Sequence, residues 1–262
     1  SMRHHLAIAA CLVLNASVAV ARPHHRHHHH LRASVEVETA ADDWHVAIGP
    51  YLWASSVDAN VSLGSANVAQ GVDFLQTVQH AKYGAEMVAD ARYAKLSLSG
   101  DLMYGVVGLA GGNSLGPVMV TVTGEASSLL VDGFAGYTIA GDDHSPVAFE
   151  TRAGIRYQRT EVAGAVDVGG MPIAQPGLSD AGRDVLAGAR VFVRPSTRVF
   201  ITGTADIGVA GSSSTTWSAA ADATVRLGSH VMLSLGYRTL TIDRPHVSMI
   251  MHGPRAALQL AF

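Results

Sequence analysis

The chain has 262 residues, of which 15% are charged and 27 are glycine, and its formal net charge is −3. This composition is too apolar for a disordered chain and too rich in glycine for an ordinary helical one, and the lack of a large basic block excludes a nucleic-acid partner. Of the 18 Lys and Arg residues only Lys82 and Lys95 are lysine, which indicates enclosed polar groups, because Arg is preferred where a charge is packed and paired.

Residues 1–21 are predicted to be a cleaved secretory signal. Arg3 supplies the positive charge, residues 6–14 form the apolar run, and Ala-Val-Ala at 19–21 is a small-residue cleavage site. Ser1, ahead of Met2, is interpreted as a cloning remnant. The single cysteine, Cys11, lies within this segment, so cleavage leaves a mature chain without disulfides or thiol chemistry. A lipidation site at Cys11 is the less favoured alternative, because the apolar run before it is short.

Residues 22–43 are predicted to be a flexible periplasmic tail, because neither half of the segment has enough apolar residues for a core. The first half is rich in histidine, and the second is acidic through Glu36, Glu38, Asp42 and Asp43. The histidine tract is a weak candidate for binding transition metals, since a metal site needs fixed geometry. Its candidate ligands are His27, His28, His29 and His30. No cofactor is predicted.

The remaining chain, residues 44–262, alternates with period two, which is typical of β-strands with one apolar face. Ten strands are predicted, at 44–54, 83–93, 95–107, 125–139, 147–159, 183–194, 198–209, 216–227, 230–241 and 254–262. The connections alternate between short turns and longer loops at 55–82, 108–124, 162–182 and 242–253, which is the layout of outer-membrane barrels. We therefore expect an all-β fold, a single transmembrane antiparallel up-and-down barrel of ten strands. Eight strands remain the alternative if 198–209 and 216–227 do not both span.

A soluble barrel would show the same alternation turned inside out, so the position of the aromatic residues decides between the two. They lie at strand ends on the apolar face, with Ala, Val, Leu and Ile between them, as a bilayer selects. The predicted interface residues are Trp44, Tyr93, Tyr137, Phe149 and Phe262 on the short-turn rim, and Tyr83, Tyr104, Tyr157, Trp217 and Tyr237 on the other. The sequence therefore favours apolar side chains facing lipid and charges facing the lumen.

The predicted lumen charges are balanced, with eight carboxylates and eight cations. They are Glu86, Asp90, Arg92, Asp101, Asp132, Glu150, Arg152, Arg156, Asp184, Arg190, Asp206, Asp222, Arg226 and Arg238, together with Lys95 and Arg255. Balance is what a closed lumen needs, because an unpaired buried charge is costly. Glycines at the same parity, that is, at alternate positions on the same face of a strand as the charges, leave room for these large side chains. Eight-stranded barrels are filled by side chains, whereas porins hold a channel, so ten strands favour an ionic plug over a narrow polar pore.

Three motifs and the chain end resemble a group of small outer-membrane β-barrel proteins of unassigned function. These are Ile-Gly-Pro-Tyr-Leu-Trp-Ala at 48–54, Val-Asp-Phe-Leu at 72–75, Ser-Gly-Asp-Leu-Met-Tyr at 99–104, and the closing strand that ends in Phe262. The resemblance implies an outer-membrane location, where the barrel would contact outer-membrane lipid and lipopolysaccharide. We expect the protein to be monomeric. The resemblance also implies that periplasmic chaperones and the barrel-insertion machinery handle the chain, the latter reading the terminal Phe. It supplies no catalytic residue.

The expected function is a non-enzymatic envelope role carried by the barrel or its outer loops, with passive transport of small polar solutes as the first alternative. The second alternative is a hydrolase at the outer rim, where a His beside a Ser or Asp would act as general base. Its candidates are Asp73, His80, Asp167, Asp180, His246, Ser248 and His252. The last loop also contains candidate copper ligands, which are His246, Met249, Met251 and His252. An apolar loop without metal is the favoured interpretation of that last segment.

Overall fold

A computed structural model describes residues 44–262 except 64–65, 73–80, 116–117, 143–144, 169–170, 175–176 and 246. Every regular element in this part of the chain is a strand. The strands are β1 (His45–Trp53), β2 (Ser56–Leu63), β3 (Ala66–Val72), β4 (Ala81–Tyr93), β5 (Leu96–Leu115), β6 (Val118–Ala140), β7 (Val147–Val168), β8 (Met171–Ala174), β9 (Gly177–Val193), β10 (Val199–Gly211), β11 (Thr215–Arg226), β12 (Val231–Asp243) and β13 (Val247–Ala261). The described residues form no helix of the length and hydropathy needed to cross a membrane.

Ten of these strands form a closed antiparallel barrel. β1, β4, β5, β6, β7, β9, β10, β11, β12 and β13 pair in that order, and β13 pairs with β1, which closes the ring. β10 and β11 pair from Val199↔Val225 to Ile207↔Trp217, and each also pairs with its other neighbour. The prediction of ten strands is confirmed, and the alternative of eight is wrong.

Several predicted loops are strands. β5 and β6 remain paired as far as Leu115↔Val118, so 108–124 is a long hairpin, and β7 and β9 extend in the same way through 162–182. Within the predicted loop 55–82, β2 and β3 form a hairpin on the edge of β13, and β8 pairs with β7. The prediction ended these strands too early because glycine-rich stretches, such as residues 108–112 and 164–170, interrupt the alternation of apolar and polar residues.

The two faces of the barrel have opposite chemistry. Outward side chains are apolar and exposed, as for Leu52 at 61%, Ile155 at 58% and Leu258 at 51%. Inward charged side chains are buried, with an exposed fraction of 0% for Arg156 and 3% for Asp132. A closed sheet satisfies its backbone groups internally and can therefore present an apolar belt to hydrocarbon. The predicted orientation of the faces is confirmed.

Aromatic side chains lie on the outer face near both ends of the spanning strands. Trp44, Tyr93, Tyr137, Phe149 and Phe262 are exposed at the short-turn end, and Trp217 and Tyr237 are exposed at the other. Tyr104 and Tyr157 are partly exposed, and the side chain of Tyr83 lies outside the described residues. The rings of Trp44 and Tyr93 are in contact at an interplanar angle of 32°, with centroids 5.3 Å apart. These positions correspond to the two interfaces of a bilayer.

Candidate functional site

The centre of the lumen is occupied by Arg156 of β7, which is fully buried. Its Nε and Nη2 donate to the two carboxylate oxygens of Asp132 on β6, both at 2.8 Å. Its Nη1 donates to Thr216 Oγ1 on β11 at 2.9 Å, and Nη2 also donates to Asp206 Oδ1 on β10 at 3.3 Å. One guanidinium thus joins opposite walls of the barrel, and its planar fork suits this multiple pairing.

Arg238 of β12 extends this network to the other side of the lumen. Its Nη1 donates to Asp101 Oδ2 at 2.8 Å and its Nη2 to Asp132 Oδ2 at 3.1 Å. Asp101 and Asp132 are direct neighbours in the sheet, so this guanidinium neutralises two adjacent like charges. The hydroxyl of Tyr51 donates to Asp101 Oδ1 at 2.6 Å, and the Trp53 ring lies 5.0 Å from the Arg238 guanidinium. Both aromatic residues belong to the opening strand and face inward.

An inward glycine lets Arg152 reach Asp206 across an intervening strand. Gly188 of β9 pairs with Arg152 on one side and with Asp206 on the other. A Cβ on Gly188 would lie 2.9 Å from the Asp206 Cβ, so only glycine leaves this path open. Arg152 Nη2 lies 3.7 Å from Asp206 Oδ2, and its guanidinium stacks at 3.5 Å over the Phe134 ring. Ser218 Oγ donates to the same Asp206 oxygen at 2.6 Å.

The same arrangement holds Arg255 and Asp222 together. Gly236 of β12 lies between them in the register, and a Cβ there would come within 2.2 Å of Asp222 Oδ1. Arg255 Nε donates to Asp222 Oδ1 at 2.6 Å, and its Nη2 donates to Oδ2. The inward glycines therefore act as gaps over which long cations reach carboxylates, as their parity in the sequence predicts.

A second ionic cluster lies nearer the short-turn end. Arg190 donates Nε and Nη2 to the two oxygens of Glu150 at 3.0 Å each, and Nη1 to Asp90. Arg92 Nε donates to Asp90 Oδ1 at 3.0 Å. The guanidinium groups of Arg92 and Arg190 lie 3.7 and 4.8 Å from the centroid of the Phe192 ring. This cluster links β4, β7 and β9 across the lumen.

Arg244 closes the opposite end and was not among the predicted lumen charges. It follows β12, yet its side chain is buried and donates Nη1 to Asp180 Oδ2 at 2.9 Å and Nε to Ser213 Oγ at 3.2 Å. Ser213 Oγ in turn donates to Asp184 Oδ2 at 2.7 Å. The Arg244 guanidinium occupies the space that a Cβ on Gly182 would take, with Cζ at 2.6 Å. The prediction ended this strand at 241. Had the alternation from Arg238 been continued to Arg244, it would have indicated an inward side chain there.

An apolar layer lies beside the central ions. Its members are Tyr51, Trp53, Leu130, Leu240, Ile242 and Met251, with Val57, Val88, Met103, Met249 and Ala257 packed against them. The sequence offered no sign of this layer, because these side chains share their parity with charged residues. Ions that are paired with one another and flanked by packed apolar groups are tolerated in an interior from which water is excluded.

Three predicted lumen charges are not paired in this way. Lys95 and Arg226 are exposed at the short-turn rim, so the prediction that they belong to the enclosed network is wrong; both lie where a strand ends, and water reaches them. Arg226 lies 5.4 Å from the centroid of the Phe200 ring. Glu86 faces inward and accepts a hydrogen bond from the Trp53 amide at 2.5 Å, and it forms no ion pair among the described residues.

The candidate metal ligands of the last segment lie on different faces. Met249 and Met251 point into the apolar layer. His252 lies on the outer face, where its Nδ1 is 3.0 Å from the Tyr237 hydroxyl. His246 and the tract His27, His28, His29 and His30 lie outside the described residues. Consecutive positions on a strand point apart, so the two thioethers and His252 do not meet at one ion.

The hydrolase candidates are likewise dispersed. Ser248 and His252 share a face of β13 but are four positions apart, which corresponds to about 13 Å along a strand. Asp180 is paired with Arg244, and Asp167 lies on β7 beside β8. Asp73, His80 and His246 lie outside the described residues. Within 44–262 as described, none of the histidines forms an ion pair with a carboxylate.

No protein-family model and no curated protein matches the sequence. Among solved structures, the chain is similar to the outer membrane protease OmpT from Escherichia coli, with 8% identity, a TM-score of 0.54, and coverage of 84% of this chain and 96% of that chain. It is also similar to the translocator domain of the autotransporter NalP from Neisseria meningitidis, with 13% identity, a TM-score of 0.50, and coverage of 86% and 90%. At these identities the likeness shows the fold. The outer-membrane barrel fold and the lipid-facing apolar belt together place the chain in the bacterial outer membrane.

Proposed function

We propose that this protein is a non-enzymatic, monomeric outer-membrane barrel whose lumen is permanently closed by an ionic plug, and that it serves the envelope through its outer strands. The observation that carries the proposal is the burial of the central ions. Arg156 is 0% exposed and Asp206 2% at the side chain, although both face the lumen. A water-filled channel would leave such groups exposed.

The bonding pattern supports a structural role for these ions. Arg156, Arg190 and Arg238 each bind two carboxylates, and the partners lie on different strands. Removing one partner of such a network is costly, whereas the complete network is tolerated. These ion pairs would have to be broken before a water-filled pore could open through the lumen.

The outer strands are the part of the molecule available to partners. β5, β6, β7 and β9 continue beyond the spanning region as a paired sheet. We propose that this sheet contacts lipopolysaccharide or another surface component, and that periplasmic chaperones and the insertion machinery deliver the chain. The resemblance of the opening strand and of the terminal Phe262 to small outer-membrane barrels of unassigned function supports this proposal.

The placement of the rim groups supports a non-enzymatic role. A general base must lie within hydrogen-bond reach of the group that it activates, and Ser248 and His252 are separated by about 13 Å along one strand. Incubation of the refolded protein with lipid A and with peptide substrates tests this directly. Turnover that is abolished by His252→Ala would contradict the proposal.

Conductance in planar bilayers tests the plug. The wild-type protein should insert without stable current steps. The double variant Arg156→Ala with Arg238→Ala removes the two guanidinium groups that bridge the lumen, and it should produce steps. Arg159→Ala is the matched control, because Arg159 is an exposed residue of the same strand as Arg156 and its ion pair among the described residues is with the exposed Glu161. Stable steps from the wild-type protein would refute the plug and favour passive transport.

A further inference from the structure

The lumen is closed at its centre but accessible from the short-turn end. Near that end, the exposed side-chain fractions are 23% for Asp90, 17% for Arg92 and 20% for Arg255. At the centre, the values are 0% for Arg156 and 2% for Asp206. Short turns and both chain ends of the barrel mark the periplasmic rim. A solute from the periplasm therefore enters a shallow vestibule whose floor is the plug.

The charges along the lumen are segregated by sign. Among the described residues of the lower half and its mouth there are seven cations, namely Arg92, Lys95, Arg190, Arg194, Arg198, Arg226 and Arg255, and four carboxylates, namely Asp90, Asp142, Glu150 and Asp222. In the middle and outer levels, the carboxylates Glu86, Asp101, Asp132, Asp180, Asp184 and Asp206 outnumber Arg152, Arg156, Arg238 and Arg244. Although the charges predicted for the whole lumen are balanced, its mouth is positive. Cations at such a mouth attract anions, and the low-dielectric walls focus their field.

Two of these cations are neighbours in the sheet, and the described residues provide neither of them with a counter-ion. The Arg226 amide donates to the Arg198 carbonyl at 2.8 Å, so the two residues are neighbours on β11 and at the start of β10. Both are exposed, and neither forms an ion pair among the described residues. The Phe200 ring lies beneath the Arg226 guanidinium, with 5.4 Å to its centroid. Like charges that lie opposite each other in a sheet repel and destabilise it. An anion that binds both guanidinium groups would remove this repulsion.

A described carboxylate of another periplasmic turn forms hydrogen bonds within its own turn. Asp142, in the turn between β6 and β7, accepts hydrogen bonds from the amide and the hydroxyl of Ser145 at 2.7 and 2.8 Å. Arg194, which adjoins the same turn, donates to the carbonyls of Asp142 and Ser145. The Asp142 carboxylate is therefore held by Ser145, whereas Arg198 and Arg226 form no ion pair among the described residues.

We propose that Arg198 and Arg226, the latter above the Phe200 ring, form an anion-binding site at the periplasmic mouth of the barrel. The ligand is a phosphate-bearing anion, taken up by two guanidinium groups that match its oxygen geometry. The site requires no passage through the lumen. It therefore adds a periplasmic binding activity to the structural and outer-surface role proposed above.

Titration of the full chain, refolded in zwitterionic detergent at low ionic strength, with inorganic pyrophosphate tests the site by calorimetry. Wild type should bind saturably, and Arg198→Ser with Arg226→Ser should weaken binding at least tenfold. Arg226→Lys, which keeps the charge but lacks the planar guanidinium, should bind more weakly than wild type and more tightly than the double variant, and Arg159→Ser on the outer strands should leave the affinity unchanged. Absence of saturable binding by wild type, or equal binding by the double variant, would overturn the proposal. Gel mobility before and after heating verifies that each variant is folded.

A second arm distinguishes the two sources of phosphate. The protein is reconstituted in phosphatidylcholine vesicles with and without phosphatidylglycerol, and the pyrophosphate titration is repeated. If phosphatidylglycerol reduces the pyrophosphate affinity only when Arg198 and Arg226 are intact, the site binds a lipid headgroup. If the affinity is unchanged, the site binds a soluble anion from the periplasm. Equal reduction in wild type and the double variant would mean that the lipid acts elsewhere and would contradict the headgroup assignment.

Discussion

Replacing Arg156 by alanine tests whether the central ions are truly shut from water. The change removes two hydrogen bonds to Asp132 at 2.8 Å, one to Thr216 at 2.9 Å and one to Asp206 at 3.3 Å. Breaking a buried ion pair by removing one partner costs about 3–5 kcal/mol.

The cost should lie at the lower end of this range, because neither carboxylate is left alone. Asp132 keeps its bond to Arg238 at 3.1 Å, and Asp206 keeps its bond to Ser218 at 2.6 Å. We expect Arg156→Ala to lower the free energy of unfolding by about 3 kcal/mol. Since 1.4 kcal/mol corresponds to a tenfold change, the folding equilibrium should fall roughly 150-fold.

Urea unfolding in lipid vesicles, followed by tryptophan fluorescence, measures this loss. Arg159→Ala should change the free energy of unfolding by less than about 0.5 kcal/mol, since exposed pairs contribute little. Arg156→Met combined with Asp132→Leu should cost less than the sum of the two single changes, because the direct Arg156–Asp132 pair is lost in each single variant and is lost only once in the double variant. A loss below about 1 kcal/mol for Arg156→Ala would show that water reaches the network, and the plug would be refuted.

Two further changes test the packing of the lumen and the lipid face by the same unfolding measurement. Gly236→Ala should destabilise the barrel by about 1–3 kcal/mol, because its Cβ would fall 2.2 Å from Asp222 Oδ1, whereas Gly133→Ala has nothing within 4 Å and should be neutral; equal effects would contradict the bridging role of the glycine. Ile155→Lys, on the exposed outer face, should cost about 2–4 kcal/mol, and Leu227→Lys at the periplasmic end about 0–1 kcal/mol; a reversed order would place the hydrocarbon belt elsewhere.

Alternation along single strands determined the fold. Each spanning strand carries its own apolar and polar faces, so ten strands, the outward direction of Ile155 and Leu258, and the inward direction of Arg152 and Arg156 could be predicted without knowledge of any neighbour. Inward glycines could be predicted in the same way, because their parity is that of the charges. The strands above the membrane could not, since glycine-rich stretches interrupt the period-two pattern there.

The pairing of the ions was decided by the tertiary structure alone. Arg238 meets Asp101 across 137 positions of sequence, and Arg255 meets Asp222 across the gap at Gly236. Parity states only that a side chain faces the lumen. Its height and its position around the ring, which decide what it meets, depend on the register of all ten strands at once.

The same reason explains the features that only the closed barrel revealed. The excess of cations near Arg198 and Arg226 arises because opposite charges are distributed unevenly along the barrel axis, and counting charges in the sequence does not show where along the axis each one lies. The composition and period of this chain therefore determine that its ions are inside and its apolar groups outside. Closure of the ring determines which ions neutralise one another and which are left at the rim, because only closure brings strands distant in sequence to one level of one lumen.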